Sequence, residues 1–188
     1  MSTFEQQRKK SQKPLLWISM VSMAMVFAGL TSAYVVRKAE GNWLDFDFPV
    51  WFYISTVVIL ISSFTIKRAK NLVLEENQVE ALKWVKITFA LGLSFAISQV
   101  ITWSSLYDQG VYFTGPGSNA SGSFWYVLTL FHLFHLLGGM IALSVAWFKV
   151  SRLKYTPDNS VRFELVAIFW HFLDFLWLYL FCFLLYIR

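Results

Sequence analysis

Five long apolar runs with few charges alternate with short polar segments along the chain. A helix needs about 20 apolar residues to cross the hydrocarbon core of a bilayer. The runs at 15–36, 48–66, 87–107, 123–148 and 163–187 meet that requirement. The pattern predicts an all-α fold, a polytopic membrane protein whose single membrane domain, 1–188, is a bundle of five transmembrane helices. Between runs three and four, Gly115-Pro116-Gly117-Ser118-Asn119 supplies turn geometry and stops a helix. The segment from Lys67 to Lys83 mixes both charge signs with Leu72, Val79 and Leu82. It reads as helical extensions of spans two and three that dip into water. No internal repeat, low-complexity tract or domain boundary interrupts the chain.

Composition agrees with this pattern. Of 188 residues, 57% are hydrophobic and 14% charged, where a soluble protein carries about 25% charged residues. The net charge of +5 does not call for a nucleic-acid partner, because the bases sit between apolar runs and obey the positive-inside rule. Arg8, Lys9, Lys10 and Lys13 precede span one; Lys67, Arg68, Lys70, Lys83 and Lys86 lie between spans two and three; Lys149, Arg152, Lys154 and Arg162 lie between spans four and five. The opposite side has only Arg37, Lys38 and Arg188. The expected topology therefore has a cytoplasmic N-terminus and an outside C-terminus. The first run is too long for a cleavable signal sequence and reads as a retained span. Cys182 stands alone, which excludes an internal disulfide and a multi-cysteine metal site. Trp17, Trp43, Trp51, Trp84, Trp103, Trp125 and Trp147 fall near predicted span ends, where indoles prefer to sit. Asn119-Ala120-Ser121 matches a glycosylation sequon, a triplet common by chance.

The informative chemistry is polar and lies at membrane depth, where an ionisable side chain needs a partner or a cavity. Span four carries His132 and His135; span five carries Glu164, His171 and Asp174. Residues three apart share a helix face, so each His pairs with its i+3 neighbour on one side. His135 lies about 18 Å into span four and His171 about 12 Å into span five from the other side, at 1.5 Å per residue. The two levels nearly coincide, so a network of His and carboxylate groups joining spans four and five is feasible. Facing histidines could be axial haem ligands, His171 with His132 or His135. They could equally lock two helices together or hold a lipid head group. Three histidines are too few for a complete oxygen-reducing haem-copper centre. Gly138-Gly139, and Ser19, Ser22, Ala24, Ala28 and Gly29 in span one, suit close helix approach. Gln99 should hydrogen-bond across helices, and the many Phe residues read as lipid-facing bulk.

Two segments carry a resemblance. Span five, Phe163-Glu164 followed by Trp170-His171-Phe172-Leu173-Asp174 and Leu176-Trp177-Leu178-Tyr179, closely resembles the last helix of subunit III of haem-copper oxidases. Span four, Phe131-His132-Leu133-Phe134-His135 followed by Gly138, is similar to the same family's Phe-His-Gly-Leu-His motif, in the expected order and distance. Ala28-Gly29-Leu30-Thr31-Ser32-Ala33-Tyr34 in span one, and Gln99, also match family positions.

The resemblance implies an accessory subunit of a cytochrome c or quinol oxidase in a bacterial plasma membrane, within a complex that reduces oxygen to water and pumps protons. Such a chain binds no redox cofactor itself; haem and copper belong to partner subunits. Its main contact is subunit I, alongside other oxidase subunits and phospholipid, and a larger respiratory supercomplex is compatible. His132, His135, Glu164, His171 and Asp174 take a structural and lipid-contact role by resemblance, with no catalytic or metal-binding residue. Two N-terminal helices that form a lipid cleft in longer members are not in this sequence, which reads as a short form. Ser22-Met23 replaces a Ser followed by a buried Glu, so no proton role carries over to Met23. Alternatives are a nitric-oxide-reductase-associated homologue, a haem b membrane anchor, and a small transporter; the last lacks the broken helices and inverted repeat that would support it.

Overall fold

The computed structural model describes residues 3–152 and 161–187, with side chains from residue 11 onward. Lys154 and Arg188, and the side chains of Arg8, Lys9 and Lys10, lie outside the described residues. Five helices occupy the chain: α1 Thr3–Ala39, α2 Val50–Leu74, α3 Gln78–Asp108, α4 Ala120–Ser151 and α5 Val161–Ile187. Each is long and apolar enough to cross a membrane, and no strand occurs among the described residues. The chain is an all-helical membrane protein.

Local chemistry sets the breaks. Pro49 precedes α2, where a missing N–H costs nothing. The mixed-charge segment stays helical except at Glu75–Asn77, where Glu76 adopts φ 61° and the Asn77 side chain accepts from Glu80 N at 3.3 Å. Asn119 caps α4 by accepting from Ser121 N at 3.0 Å, and its amide donates to the Asn42 carbonyl. The sequon asparagine is thus engaged in holding two loops together.

Helices α2, α3, α4 and α5 form a closed ring, each packed on two neighbours, while α1 lies outside against α4 and α5. We call the end holding the start of α1 the N end and the opposite one the C end. The ring's centre is aromatic: Trp177 packs against Phe52 and Phe95, and Trp125 packs against Phe48 and Phe52. Trp125 is therefore a core residue, whereas Trp17 and Trp51 are exposed. The Phe residues divide likewise: Phe27, Phe52, Phe95 and Phe163 are buried, and Phe64, Phe134, Phe148 and Phe175 are exposed.

The small residues do not all act as spacing suggested. Gly139 does sit at the α4–α5 contact, where an added Cβ would lie 2.8 Å from Leu173 Cδ1, but Gly138 faces open space. In α1, Ser19, Ser22, Ala24, Ala28 and Gly29 are all exposed, and the helix docks through Met20, Phe27, Thr31 and Tyr34 instead. That spacing of seven, four and three residues keeps one narrow stripe on the bundle. A tight helix-to-helix approach is at Gly92 of α3, where a Cβ would meet Met140 Sδ at 2.7 Å and the Trp170 ring at 2.8 Å.

Gly92→Ala must displace a buried indole and is expected to lower unfolding stability by about 1–3 kcal/mol, as overpacking typically does. Gly138→Ala should leave it within about 0.5 kcal/mol. Denaturant titration of both variants in the same detergent checks the contrast.

Candidate functional site

Helix α2 carries a run of hydroxyls that bond to helices on both sides. Towards α3, Gln99 Nε2 donates to Ser55 Oγ at 2.8 Å, and Thr65 and Thr88 share a bond of 2.8 Å. Towards α5, the indoles of Trp177 and Trp170 donate to Thr56 Oγ1 and Ser62 Oγ, each at 3.0 Å. Ser63 Oγ shares a 2.6 Å bond with His171 Nδ1. The partners descend α2 as they climb α5, the signature of antiparallel neighbours in fixed register. A transmembrane Ser or Thr satisfies itself by bonding back to a carbonyl one turn earlier, as Ser55, Thr56, Ser62 and Thr65 do. The same oxygen keeps a lone pair for a neighbour.

The histidines and carboxylates fall at separate places around this ladder. His171 faces α2 rather than α4. Asp174, one turn on, is 3% exposed and lies beside Ser63. Neither of its oxygens meets full hydrogen-bond geometry among the described residues, yet the Ser63 hydroxyl stands between it and His171 and can accept from one while donating to the other. Glu164 lies at the N end, where it pairs with Lys13 of α1 at 3.2 Å and Lys70 of α2 at 3.9 Å. These groups are half exposed, so the pairing orients three helix ends more than it stabilises them.

On α4, His132 is fully buried, its ring centroid 5.0 Å from Trp177, 5.9 Å from Phe95 and 6.4 Å from Phe27. Both ring nitrogens lack a hydrogen-bond partner among the described residues, leaving only weak contacts to aromatic faces. His135 donates from Nδ1 to its own helix, to Phe131 O at 2.7 Å, with its ring 5.5 Å from Phe27 of α1. His132 lies beside Trp177 and Gly139 beside Leu173, as antiparallel packing of α4 on α5 requires. No hydrogen bond joins the α4 histidines to the α5 groups among the described residues. The imidazoles of His132 and His171 turn to different neighbours, His132 to the rings of Trp177, Phe95 and Phe27 and His171 to Ser63 of α2. No group of three or more His, Cys, Asp or Glu side chains gathers among the described residues.

The hydroxyl ladder was missed from sequence. Its signal was present: Ser55-Thr56 and Ser62-Ser63 recur seven residues apart within an apolar run, two turns of one stripe.

Comparison with known proteins decides the family. The family described as cytochrome c oxidase subunit III matches residues 45–188. A probable cytochrome c oxidase subunit 3 from Mycobacterium tuberculosis is 33% identical over 180 residues, covering 93% of this chain and 86% of the relative. This chain belongs to the cytochrome c oxidase subunit III family. A cytochrome c oxidase subunit 3 from Corynebacterium diphtheriae is 29% identical over 164 residues, covering 84% and 78% of the two chains. A cytochrome bo(3) ubiquinol oxidase subunit 3 from Pseudomonas putida is 24% identical over 172 residues, covering 88% and 80%. Family membership implies other oxidase subunits as partners.

Thr56→Val removes the acceptor of a buried indole while keeping side-chain shape. It should cost about 1–3 kcal/mol of stability, the penalty for an orphaned donor. A double-mutant cycle with Trp177→Phe should return a coupling of about 0.6 kcal/mol and no more than about 1.7, the average and maximum for hydrogen bonds between membrane helices.

Proposed function

We propose that the chain serves as the accessory subunit III of a respiratory haem-copper oxidase in a bacterial plasma membrane, packed chiefly against subunit I and contacting phospholipid. Haem and copper reside in the partner subunits, which reduce oxygen to water and pump protons. The observation that carries this reading is the match to bacterial oxidase subunits over 93% of the chain. An inward N end is supported by its basic side chains, among them Lys13, Lys67, Lys70, Lys83, Lys149 and Arg152.

In this reading the five polar residues are structural. His171 ties α5 to α2 through Ser63, and Glu164 gathers the starts of α1 and α5 with the end of α2. His132 and His135 sit where α1 crosses α4, against Phe27. Subunit III thereby offers its partners a preformed surface, and its contribution to turnover is endurance rather than chemistry.

Two experiments test the proposal. Material purified from native membranes through a tag on this chain should give a reduced-minus-oxidised haem spectrum, whereas the chain expressed alone should give none. Stoichiometric haem b in the isolated chain would overturn the reading in favour of a membrane anchor. His171→Leu, which removes the Ser63–His171 bond, is expected to shorten the lifetime of the complex under turnover while leaving the initial rate of oxygen consumption within about twofold.

A further inference from the structure

At the C end, the last two turns of α3, the following loop and the first turns of α4 enclose an open cleft of about 850 Å³. Its walls are aromatic, with Trp103, Tyr107, Tyr112, Phe113 and Tyr126, and among the described residues Asp108 is its one carboxylate. The aromatic walls are held in place. Trp103 donates to Thr129 Oγ1 at 3.1 Å, and the Tyr126 hydroxyl reaches the carbonyls of Trp103 and Val111 at 3.2 and 3.0 Å. Tyr107 and Tyr112 meet edge to face at 5.0 Å, and Phe113 and Tyr126 pack in a tilted arrangement at 5.8 Å. The loop itself is clamped where Val111 seats on Gly122, a position where a Cβ would approach Val111 Cγ1 to 2.7 Å.

Aromatic faces carry negative charge density and attract cations, ammonium groups above all. Asp108 adds a full negative charge, and among the described residues it belongs to no ion pair and no Lys or Arg lines the cleft. The occupant is therefore cationic at this point. It is also apolar below it, because an exposed stripe runs from the cleft along α3 through Tyr107, Ser104, Val100, Ile97 and Leu93. These positions recur at intervals of three and four, one continuous face, and they point into what the length of α3 makes the hydrocarbon region. The rim hydroxyls of Tyr107, Tyr112 and Thr114 are donors within the same cleft, suited to a phosphodiester.

We infer that this cleft binds the ammonium-bearing head group of a zwitterionic phospholipid, with an acyl chain lying along the α3 stripe. The site is separate from the His171 and Glu164 groups and does not depend on the oxidase reading.

Photolabelling tests it on the protein purified with whatever it holds from native membranes. The probe is a phosphatidylcholine with a diazirine on one acyl chain, supplied in phosphatidylglycerol vesicles, and cross-linked peptides are mapped by mass spectrometry. Labelling is expected on the 93–107 segment, to be displaced by tetramethylammonium chloride at matched ionic strength if the ammonium group carries recognition. It should fall about fivefold to tenfold in Asp108→Asn and again in Tyr107→Leu, as expected for loss of a charge or a cation–π face. Both side chains are exposed, so neither change threatens the fold. Equal labelling by the phosphatidic acid analogue, which lacks the ammonium, would overturn the inference. So would labelling unaffected by Asp108→Asn, or none at this segment, as when a neighbouring subunit fills the cleft.

Discussion

The bond between an indole or imidazole on α5 and a hydroxyl on α2 is the contact on which the rest of the bundle hangs. Between helices in lipid the hydrophobic effect offers no net attraction, because acyl chains are as apolar as the side chains they replace. Association then rests on close packing and on polar groups that have no better partner. Thr56, Ser62 and Ser63 meet Trp177, Trp170 and His171, and this fixes the register of α2 against α5 over about two turns. Once that register is set, Trp177 reaches Phe52, Phe95 and His132, and Trp170 closes over Gly92. A slip by one position would orphan several buried donors together, each costing about 1–3 kcal/mol.

Helix α1 is held differently. It meets the ring through a single stripe, with a 2.8 Å hydrogen bond between the Thr31 and Tyr179 hydroxyls and end contacts from Lys13 to Glu164 and from Lys38 to the Ile187 carbonyl. Its other faces, including the small residues Ser22 and Gly29, are bare. The family reading and the architecture meet here. The ring is cross-linked by its own hydrogen bonds, and an outer helix with a flat face of small residues leaves backbone accessible to another helix.

Much of the candidate site was legible as residue type and little of it as partnership. His132, His135, Glu164, His171 and Asp174 stood out because a polar group in an apolar run needs an explanation. Their arrangement did not follow, because helical spacing places residues on a face without saying which neighbour that face meets. His171 could turn to α4 or to α2 with equal economy in sequence. The Ser and Thr pairs of α2 resolve the choice, and they escape notice because a hydroxyl can satisfy itself within its own helix. Gly138 and Gly139 are likewise indistinguishable in sequence, yet only Gly139 touches α5.

By itself the sequence determined the five helices, the polar groups at membrane depth and the family, because apolar run length and side-chain chemistry are local properties that a bilayer reads directly. The tertiary structure decided the ring of four with α1 outside, the isolation of His132 among rings, the His171–Ser63 bond and the aromatic cleft around Asp108. Those depend on which faces meet, and between helices that differ little in hydrophobicity the choice is made by shape and hydrogen-bond geometry, which exist only once the chain has packed.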